Sequence, residues 1–314
     1  MEPAQDGRRT GVLAAVGGTP IVELRRVVPA SGARILLKWE PANPTGSMKD
    51  RMAVEVVRAA ARDGRLPPGG TVVEYTAGTT GISLALVCAA LGYRLHVVFS
   101  DAFSVEKRKT MLALGVEITD EPSDGGRITA DLIKRMIATS QEISTRPGHW
   151  WADQLTNHDA VRGYVPLGEE IWRQTGGRVD AFVQSVGTAH SIHGTPQGFG
   201  SGGARPRVVA VEPDESAVLS GAPTGAHRIE GIGIGFVPPL WQPELVDSIE
   251  RVSSEEAQQM ARRLAAEEGV FAGTSTGANV IAALRVAETL PAEARVVTVA
   301  VDSGLRYLST APYS

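Results

Sequence analysis

The sequence predicts an α/β fold with a largely parallel sheet. Short runs rich in β-branched residues alternate with longer helical runs along the chain, a pattern typical of strand–helix–strand units. The 314 residues are 43% hydrophobic and 21% charged, which is close to the average for soluble globular proteins. A chain of this length has room for two domains or one large one.

The first predicted helix covers residues 50–63, "DRMAVEVVRAAARD". Its apolar stripe consists of Met52, Val56, Ala59 and Ala60. Gly64 follows directly and supplies the left-handed residue that commonly ends a helix. Lys49 ends the turn-forming segment "NPTGSMK" and therefore lies at the N-terminus of this helix.

Five further segments have the composition of strands, and a second helix is well delimited. The clearest strands are 71–75, 94–100, 180–186, 207–213 and 295–301. Residues 253–268 are predicted as a helix because Ser253 and Glu256 form a capping-box pattern and Gly269 follows. The basic run "EKRKT" at 106–110 is interpreted as the solvated face of a helix.

Composition and charge exclude several classes of protein. The net charge is −4, with 31 basic and 35 acidic residues, so nucleic acid is not an expected partner. The single cysteine, Cys88, lies in an apolar helical run and is expected to be a core residue in a reducing compartment. The segment "MEPAQDGRRTG" has no signal-peptide core and no window approaches the length of a membrane span, so we expect a cytoplasmic protein without membrane contact.

Glycine-rich turns mark the candidate site, since ligands of α/β proteins bind where strands lead into helices. They are "TAGTTG" (76–81), "GTAHSIHG" (187–194) and "EGIGIGF" (230–236). The second turn would direct backbone N–H groups and hydroxyls toward an anion at a helix N-terminus. Each turn taken alone is more typical of a structural cap than of a ligand site, as is "GTSTGANV" (273–280).

Taken in order, six segments resemble the motifs of the pyridoxal-phosphate enzymes of the cysteine synthase and cystathionine β-synthase family. They are "NPTGSMKDR", "EYTAGTTGISLA", "GTAHSIHG", "EGIGIGF", "EEGVFAGTSTGANV" and "VDSGLRYLST". The resemblance runs from "GGTPIVEL" at 17–24 nearly to the end. It implies a two-domain fold of type II, each domain a largely parallel twisted sheet flanked by helices. Residues 40–153 would form the smaller, mobile substrate-binding domain, and 1–39 with 154–314 the larger cofactor-binding domain.

The resemblance also implies how pyridoxal 5'-phosphate is held. Lys49 would bind it as a Schiff base, which is consistent with a helix N-terminus disfavouring the ammonium form. The phosphate loop would comprise Gly187, Thr188, Ala189, His190 and Ser191. Ser275 would hydrogen-bond the pyridine nitrogen, and its neutral hydroxyl would favour β-elimination over transamination. No metal site is implied.

Substrate contacts and the reaction follow from the same resemblance. The donor-binding residues would be Thr76, Ala77, Gly78, Thr80, Gln154 and Gly231, with Thr79 in the same loop beside the cofactor. The implied reaction is a β-replacement on an O-activated L-serine through an aminoacrylate intermediate, with Lys49 carrying the α-proton. Sulfide or another small nucleophile would then form cysteine or a β-substituted alanine. The implied assembly is a homodimer.

Three departures from the family pattern bear on the substrate. Thr79 replaces the asparagine of the usual Thr-Ser-Gly-Asn-Thr-Gly loop, and Ala189, His190 and Ser191 replace the last three residues of Gly-Thr-Gly-Gly-Thr. His190 is expected to be an ordinary solvent-facing polar residue, and Glu230 stands where glutamine is common. A specialised donor or acceptor is one interpretation. The alternatives are a β-eliminating enzyme, such as a cysteine desulfhydrase or serine/threonine dehydratase, and a non-catalytic ligand-binding homologue.

Overall fold

The strands form two separate sheets. The computed structural model describes residues 11–29, 32–200 and 205–314. In this part of the chain the larger sheet has six strands in the order β1-β2-β10-β7-β8-β9, and the smaller has four in the order β5-β4-β3-β6. All neighbouring strands are parallel except the β1–β2 pair. The strands are β1 (Ile21–Glu23), β2 (Arg34–Trp39), β3 (Thr71–Tyr75), β4 (Arg94–Phe99), β5 (Glu117–Asp120), β6 (His149–Trp151), β7 (Ala181–Ser185), β8 (Arg207–Pro213), β9 (Ser248–Val252) and β10 (Arg295–Ala300).

Helices connect the parallel strands, as crossover connections require. They are α1 (Lys49–Arg62), α2 (Thr79–Leu91), α3 (Val105–Ala113), α4 (Ala130–Ser144), α5 (His158–Arg162), α6 (Val165–Gln174), α7 (His190–Gln197), α8 (Ser254–Arg263) and α9 (Thr274–Glu288). A π-helical turn, Leu264–Glu268, continues α8. A 3₁₀ turn, Gly304–Tyr307, lies near the C-terminus.

The predicted α/β class and its main elements are confirmed. Each of the five predicted strands is found within one residue of its predicted bounds, and the first helix begins at Lys49. The capping box of Ser253 and Glu256 is present at the start of α8. Cys88 is buried in α2 as expected, and this burial raises the pKa of its thiol to about 12.

The packing of the apolar core places the carboxyl ends of β3, β7 and β10 around one cleft. One cluster of buried side chains covers both the smaller sheet and one face of the larger sheet, and a second cluster packs α8 and α9 on the opposite face. Loops therefore leave β3, β7 and β10 toward a common cleft between the sheets. The N-terminal segment 1–10, included in the signal-peptide analysis, lies outside the described residues. Across the ranges that are described, no helix is long and apolar enough to span a membrane.

Candidate active site

Lys49 is fixed by contacts from both sides of the cleft. The Asp50 carboxylate accepts hydrogen bonds from Thr45 N (2.8 Å) and Ser83 Oγ (2.6 Å), which shapes the preceding turn. Met48 N donates to Val301 O (3.0 Å), so the head of α1 is tied to the end of β10. The Lys49 side chain is surrounded by protein although it opens into a cavity. Desolvation lowers the pKa of its amine to about 8, against the opposing charge of Asp302.

The amine opens into a cavity of about 320 Å³ that both predicted ligand loops line. The predicted site residues in its wall are Lys49, Thr76, Ala77, Thr79, Thr80, Gln154, Gly187, Thr188 and Gly231. The remaining ones, Gly78, Ala189, His190, Ser191 and Ser275, lie in the same loops or at a helix start. The structure thus brings the predicted residues together, whereas their roles stay predictions.

The loop after β3 is held in shape by its own hydroxyl groups. Thr76 Oγ1 accepts hydrogen bonds from Gly78 N (2.9 Å) and Gly81 N (3.2 Å). Thr80 Oγ1 donates to Gln154 Oε1 (2.9 Å), while Gln154 Nε2 donates to Tyr75 O (2.8 Å). Gln154, which follows β6 in the sequence, is therefore part of the same loop surface.

The loop after β7 exposes backbone donors instead. Ala189 has φ +67° and caps α7, which begins at His190. Among the described residues, the backbone N–H groups of Thr188, Ala189, His190 and Ser191 have no acceptor. A Cβ on Gly187 would lie 2.5 Å from Gly231 O, so two backbones meet closely here.

The expectation that His190 faces solvent is wrong. Its side chain is 1% exposed, and its Nδ1 lies 3.0 Å from Thr188 Oγ1. Burial, reinforced by the charge of Lys49, places the pKa of the imidazole well below its usual value, so the ring is neutral. No local sequence pattern indicates this burial, because it results from tertiary packing around the start of α7.

Ser275 occupies the first turn of α9 between two threonines that are already engaged. Thr274 Oγ1 accepts from Glu230 N (3.2 Å) and Thr276 Oγ1 accepts from Val301 N (3.0 Å). No hydrogen bond to the Ser275 hydroxyl comes from any residue within the described ranges. Asn279, which the sequence analysis missed, bonds Ser185 N and Val299 O and so ties α9 to β7 and β10.

Lys107 corrects the interpretation of the 106–110 run as a solvated face. Its side chain is 2% exposed, lines the cavity, and donates to Glu230 Oε2 at 2.5 Å. Asp302 was also missed: its Oδ2 accepts from Tyr307 OH (2.7 Å) and Thr79 Oγ1 (3.3 Å). Burial raises the pKa of the Asp302 carboxyl, opposed by nearby Arg306 and Lys107. The Lys107–Glu230 and Thr79–Asp302 contacts join segments far apart in sequence, so local patterns carry no signal for them.

A type II fold is typical of pyridoxal-phosphate enzymes when a lysine at a helix start opens into the same cavity as a loop with open backbone N–H groups. The family profile described as "Pyridoxal-phosphate dependent enzyme" matches residues 12–302. The chain therefore belongs to this family, whose cofactor is pyridoxal 5'-phosphate.

Individual relatives agree with this assignment. The chain is 38% identical over 301 residues to a cysteine synthase of Staphylococcus aureus, covering 95% of each protein. Its structure is similar to that of a cysteine synthase from Entamoeba histolytica, with a TM-score of 0.90, 35% identity, and coverage of 99% of this chain and 92% of that one. It is also similar to an O-ureido-L-serine synthase, with a TM-score of 0.90, 36% identity, and coverage of 97% and 95%.

The residues present fit the cofactor. A phosphate dianion needs several converging donors, and the open N–H groups at the start of α7 supply them together with the helix dipole. The Ser275 hydroxyl is free to bond a ring nitrogen. Lys49 has an amine that is partly neutral near physiological pH, as a Schiff-base lysine requires.

Proposed function

We propose that the protein catalyses β-replacement on an O-activated L-serine, adding a small nucleophile to form cysteine or another β-substituted alanine. One observation carries the proposal: the Lys49 amine opens into a single cavity with Gln154 and both strand-to-helix loops in its wall. The cysteine synthases and the O-ureido-L-serine synthase that resemble the chain support the reaction class.

Cofactor binding is assigned to five loop residues, to Ser275 and to Thr79. The backbone donors of Gly187, Thr188, Ala189, His190 and Ser191 would hold the phosphate. Ser275 would bond the pyridine nitrogen. Thr79, already bonded to Asp302, would stand beside the ring. When bound, pyridoxal phosphate supplies the electron sink that makes the α-proton of an amino acid acidic.

Donor binding is assigned to the loop after β3. Its hydroxyl and N–H groups would bind the α-carboxylate of the donor, and the residues assigned are Thr76, Ala77, Gly78, Thr80, Gln154 and Gly231. The hydrogen bonds among Thr76, Thr80 and Gln154 preorganise this surface, which reduces the entropy lost on binding.

Lys49 is the residue that moves protons at the α-carbon. Its amine, with a pKa of about 8, is well matched to general base catalysis near neutral pH, because an effective base has a pKa close to the working pH. Lys49 would take the α-proton as the β-substituent leaves, hold it, and return it once the nucleophile has bonded to the β-carbon.

The test is the visible absorption spectrum of the purified protein before and after addition of O-acetyl-L-serine, with Lys49→Ala alongside. We expect a yellow wild type whose spectrum changes with the donor, and a variant without either property. Pyruvate release without any nucleophile would favour a β-eliminating enzyme instead. A colourless protein that takes up no cofactor would contradict the proposal and favour a non-catalytic homologue.

We further propose that residues 40–153 move as a smaller domain against 1–39 and 154–314. The partition of strands supports this division, since β3 to β6 all lie within the first range. Small-angle scattering of the wild-type holoenzyme with and without O-acetyl-L-serine measures closure, and an unchanged radius of gyration would contradict it.

A cytoplasmic homodimer is the proposed state of the protein. Cys88, buried and unpaired, agrees with a reducing compartment, and the family resemblance supports the dimer. Light scattering during size-exclusion chromatography gives the mass in solution. A monomer at micromolar concentration would contradict the dimer, and fractionation of the source cells tests the compartment.

A further inference from the structure

A buried ion pair closes one wall of the cavity. Lys107 Nζ lies 2.5 Å from Glu230 Oε2 and 4.6 Å from the centroid of the Tyr307 ring. The aliphatic stem of Lys107 covers Gly78, where an added Cβ would lie 2.4 Å from Lys107 Cδ. The charge of Lys107 is therefore balanced by its ion pair with Glu230, by the aromatic face of Tyr307 and by the more distant carboxyl of Asp302.

Glu230 lies in the wall of the cavity that Lys49 also lines. Its backbone N–H donates to Thr274 Oγ1 (3.2 Å), one residue before Ser275. The carbonyl of the next residue, Gly231, closely approaches Gly187 at the start of the phosphate loop. Glu230 and Lys107 line the same cavity as Lys49, so a nucleophile approaching the β-carbon enters a space bounded by this pair.

Of the two residues in the ion pair, Glu230 is the more exposed to the cavity. The Glu230 side chain is 16% exposed and that of Lys107 is 2% exposed. Glu230 Oε2 is taken by Lys107, whereas Oε1 has no hydrogen-bond partner in the described part of the chain. A molecule that enters the cavity can therefore donate a hydrogen bond to the negatively charged carboxylate of Glu230, whereas the Lys107 cation is less accessible.

We propose that Glu230, held by Lys107, selects the nucleophile and accepts its proton; this assignment rests on the proposed β-replacement. The class selected is a nitrogen nucleophile that carries N–H groups, such as ammonia or a primary amine, over the hydrosulfide anion. A carboxylate attracts N–H donors and repels an anion. Glutamine, common at this position, has no charge with which to make this distinction.

The proton balance of this step is complete. The nitrogen lone pair forms the bond to the β-carbon, and the N–H proton that the nitrogen loses passes to Glu230 Oε1 and then to water. Lys49 returns the α-proton to the α-carbon. With the leaving group departed as its anion, one proton is released for each product formed, and no oxidant or reductant is needed.

The experiment compares acceptors in the holoenzyme with O-acetyl-L-serine as donor. We measure kcat/KM for ammonia, methylamine and sulfide in the wild type, Glu230→Gln and Lys107→Met. A hydrogen bond to a charged group contributes enough that its loss changes rates by about tenfold to a hundredfold. We expect Glu230→Gln to move the nitrogen-to-sulfide ratio toward sulfide by this factor, and Lys107→Met to move it the other way.

A purely structural ion pair gives a different result. Breaking a cross-link would lower kcat/KM for all acceptors together in both variants, so an unchanged ratio overturns the proposal. The exposed residues Glu255 and Lys109 provide matched controls as Glu255→Gln and Lys109→Met, which should leave the ratio within about twofold. The spectral response to O-acetyl-L-serine is recorded for every variant. A wild type without that response refutes the proposed function itself, whereas a normal response with an unchanged ratio refutes only the role of Glu230.

Discussion

Two strand-to-helix loops face Lys49, one after β3 in the smaller sheet and one after β7 in the larger sheet. Both are short runs of glycine, threonine and small residues, yet they offer different donors. In the first loop, the hydroxyl of Thr76 accepts a hydrogen bond from a backbone N–H group of the same loop, and the hydroxyl of Thr80 donates one to Gln154. In the second, the backbone N–H groups themselves remain open. We therefore propose that the first loop binds a carboxylate and the second a phosphate.

The loops also differ in how they reach positive φ. Gly78 has φ +117° in the first loop, where the Lys107 stem leaves no space for a side chain. The second loop uses Ala189 at φ +67°, a conformation that costs a residue with a Cβ about 1–2 kcal/mol. Loops with similar sequences therefore have different backbone conformations. We expect substitutions in the two loops to have different effects.

The largest expected effect comes from Gly187→Ala. The added Cβ would lie 2.5 Å from Gly231 O, and because the obstacle is backbone, the phosphate loop must shift. Losing two charge-assisted hydrogen bonds of about 2 kcal/mol each would weaken cofactor affinity about a thousandfold. Titration of the apo-protein with pyridoxal phosphate measures it. Gly78→Ala is the comparison, and it should impair the donor response while the cofactor still binds; equal cofactor affinities would refute the distinction.

Some features of the fold and of the two loops can be predicted from the local sequence, and others cannot. The strands at 71–75 and 295–301 are predicted because both segments are short and rich in β-branched valine and threonine. The three-residue strands Ile21–Glu23 and His149–Trp151 were not, since such short segments become strands only through their partners. Lys49 can be singled out from local sequence, because it follows a turn-forming segment and precedes a predicted helix. The burial of His190 and the pairing of Lys107 with Glu230 depend on contacts across the cleft, which a single sequence does not encode locally.

Lys49 belongs to neither loop. The pH at which its amine loses its proton shows how far the space between the two loops is desolvated. Burial lowers the pKa of the amine from 10.5 to about 8, so the neutral form appears as pH rises from about 7 to 9. At pH 8 the reactive fraction is roughly a hundredfold larger than for an unshifted lysine. Trace acetylation of the apo-protein followed by mass spectrometry measures this, with exposed Lys109 for comparison.

One substitution tests the electrostatic part of this shift. Asp302 raises the pKa of Lys49 against desolvation, so Asp302→Asn should move the labelling midpoint to still lower pH. A midpoint that follows the ordinary value of 10.5 in the wild type would show that the amine is not desolvated between the loops.

A smaller effect is expected from Thr76→Val. The substitution leaves the N–H groups of Gly78 and Gly81 without their acceptor, whereas the shape of the side chain is kept. Unsatisfied groups of this kind cost about 1–3 kcal/mol, so the half-saturating donor concentration should rise about tenfold, read from the spectral titration. Cofactor affinity should stay unchanged. Thr110→Val, on the exposed face of α3, is the control, and a parallel loss of cofactor affinity would show that the two loops are not independent.

The smallest expected effect concerns the strain in the second loop. Ala189→Gly relieves about 1–2 kcal/mol of left-handed strain but adds about 0.4–1 kcal/mol of unfolded-state entropy, so the apo-protein should gain roughly 0.5–1 kcal/mol in the free energy of unfolding. Urea unfolding measures it. The same chemical change at Ala61, within α1, should instead destabilise by about 0.5–1 kcal/mol. Opposite signs at the two positions would establish that the phosphate loop holds its open N–H groups at a cost in stability, and equal signs would show that Ala189 is unstrained.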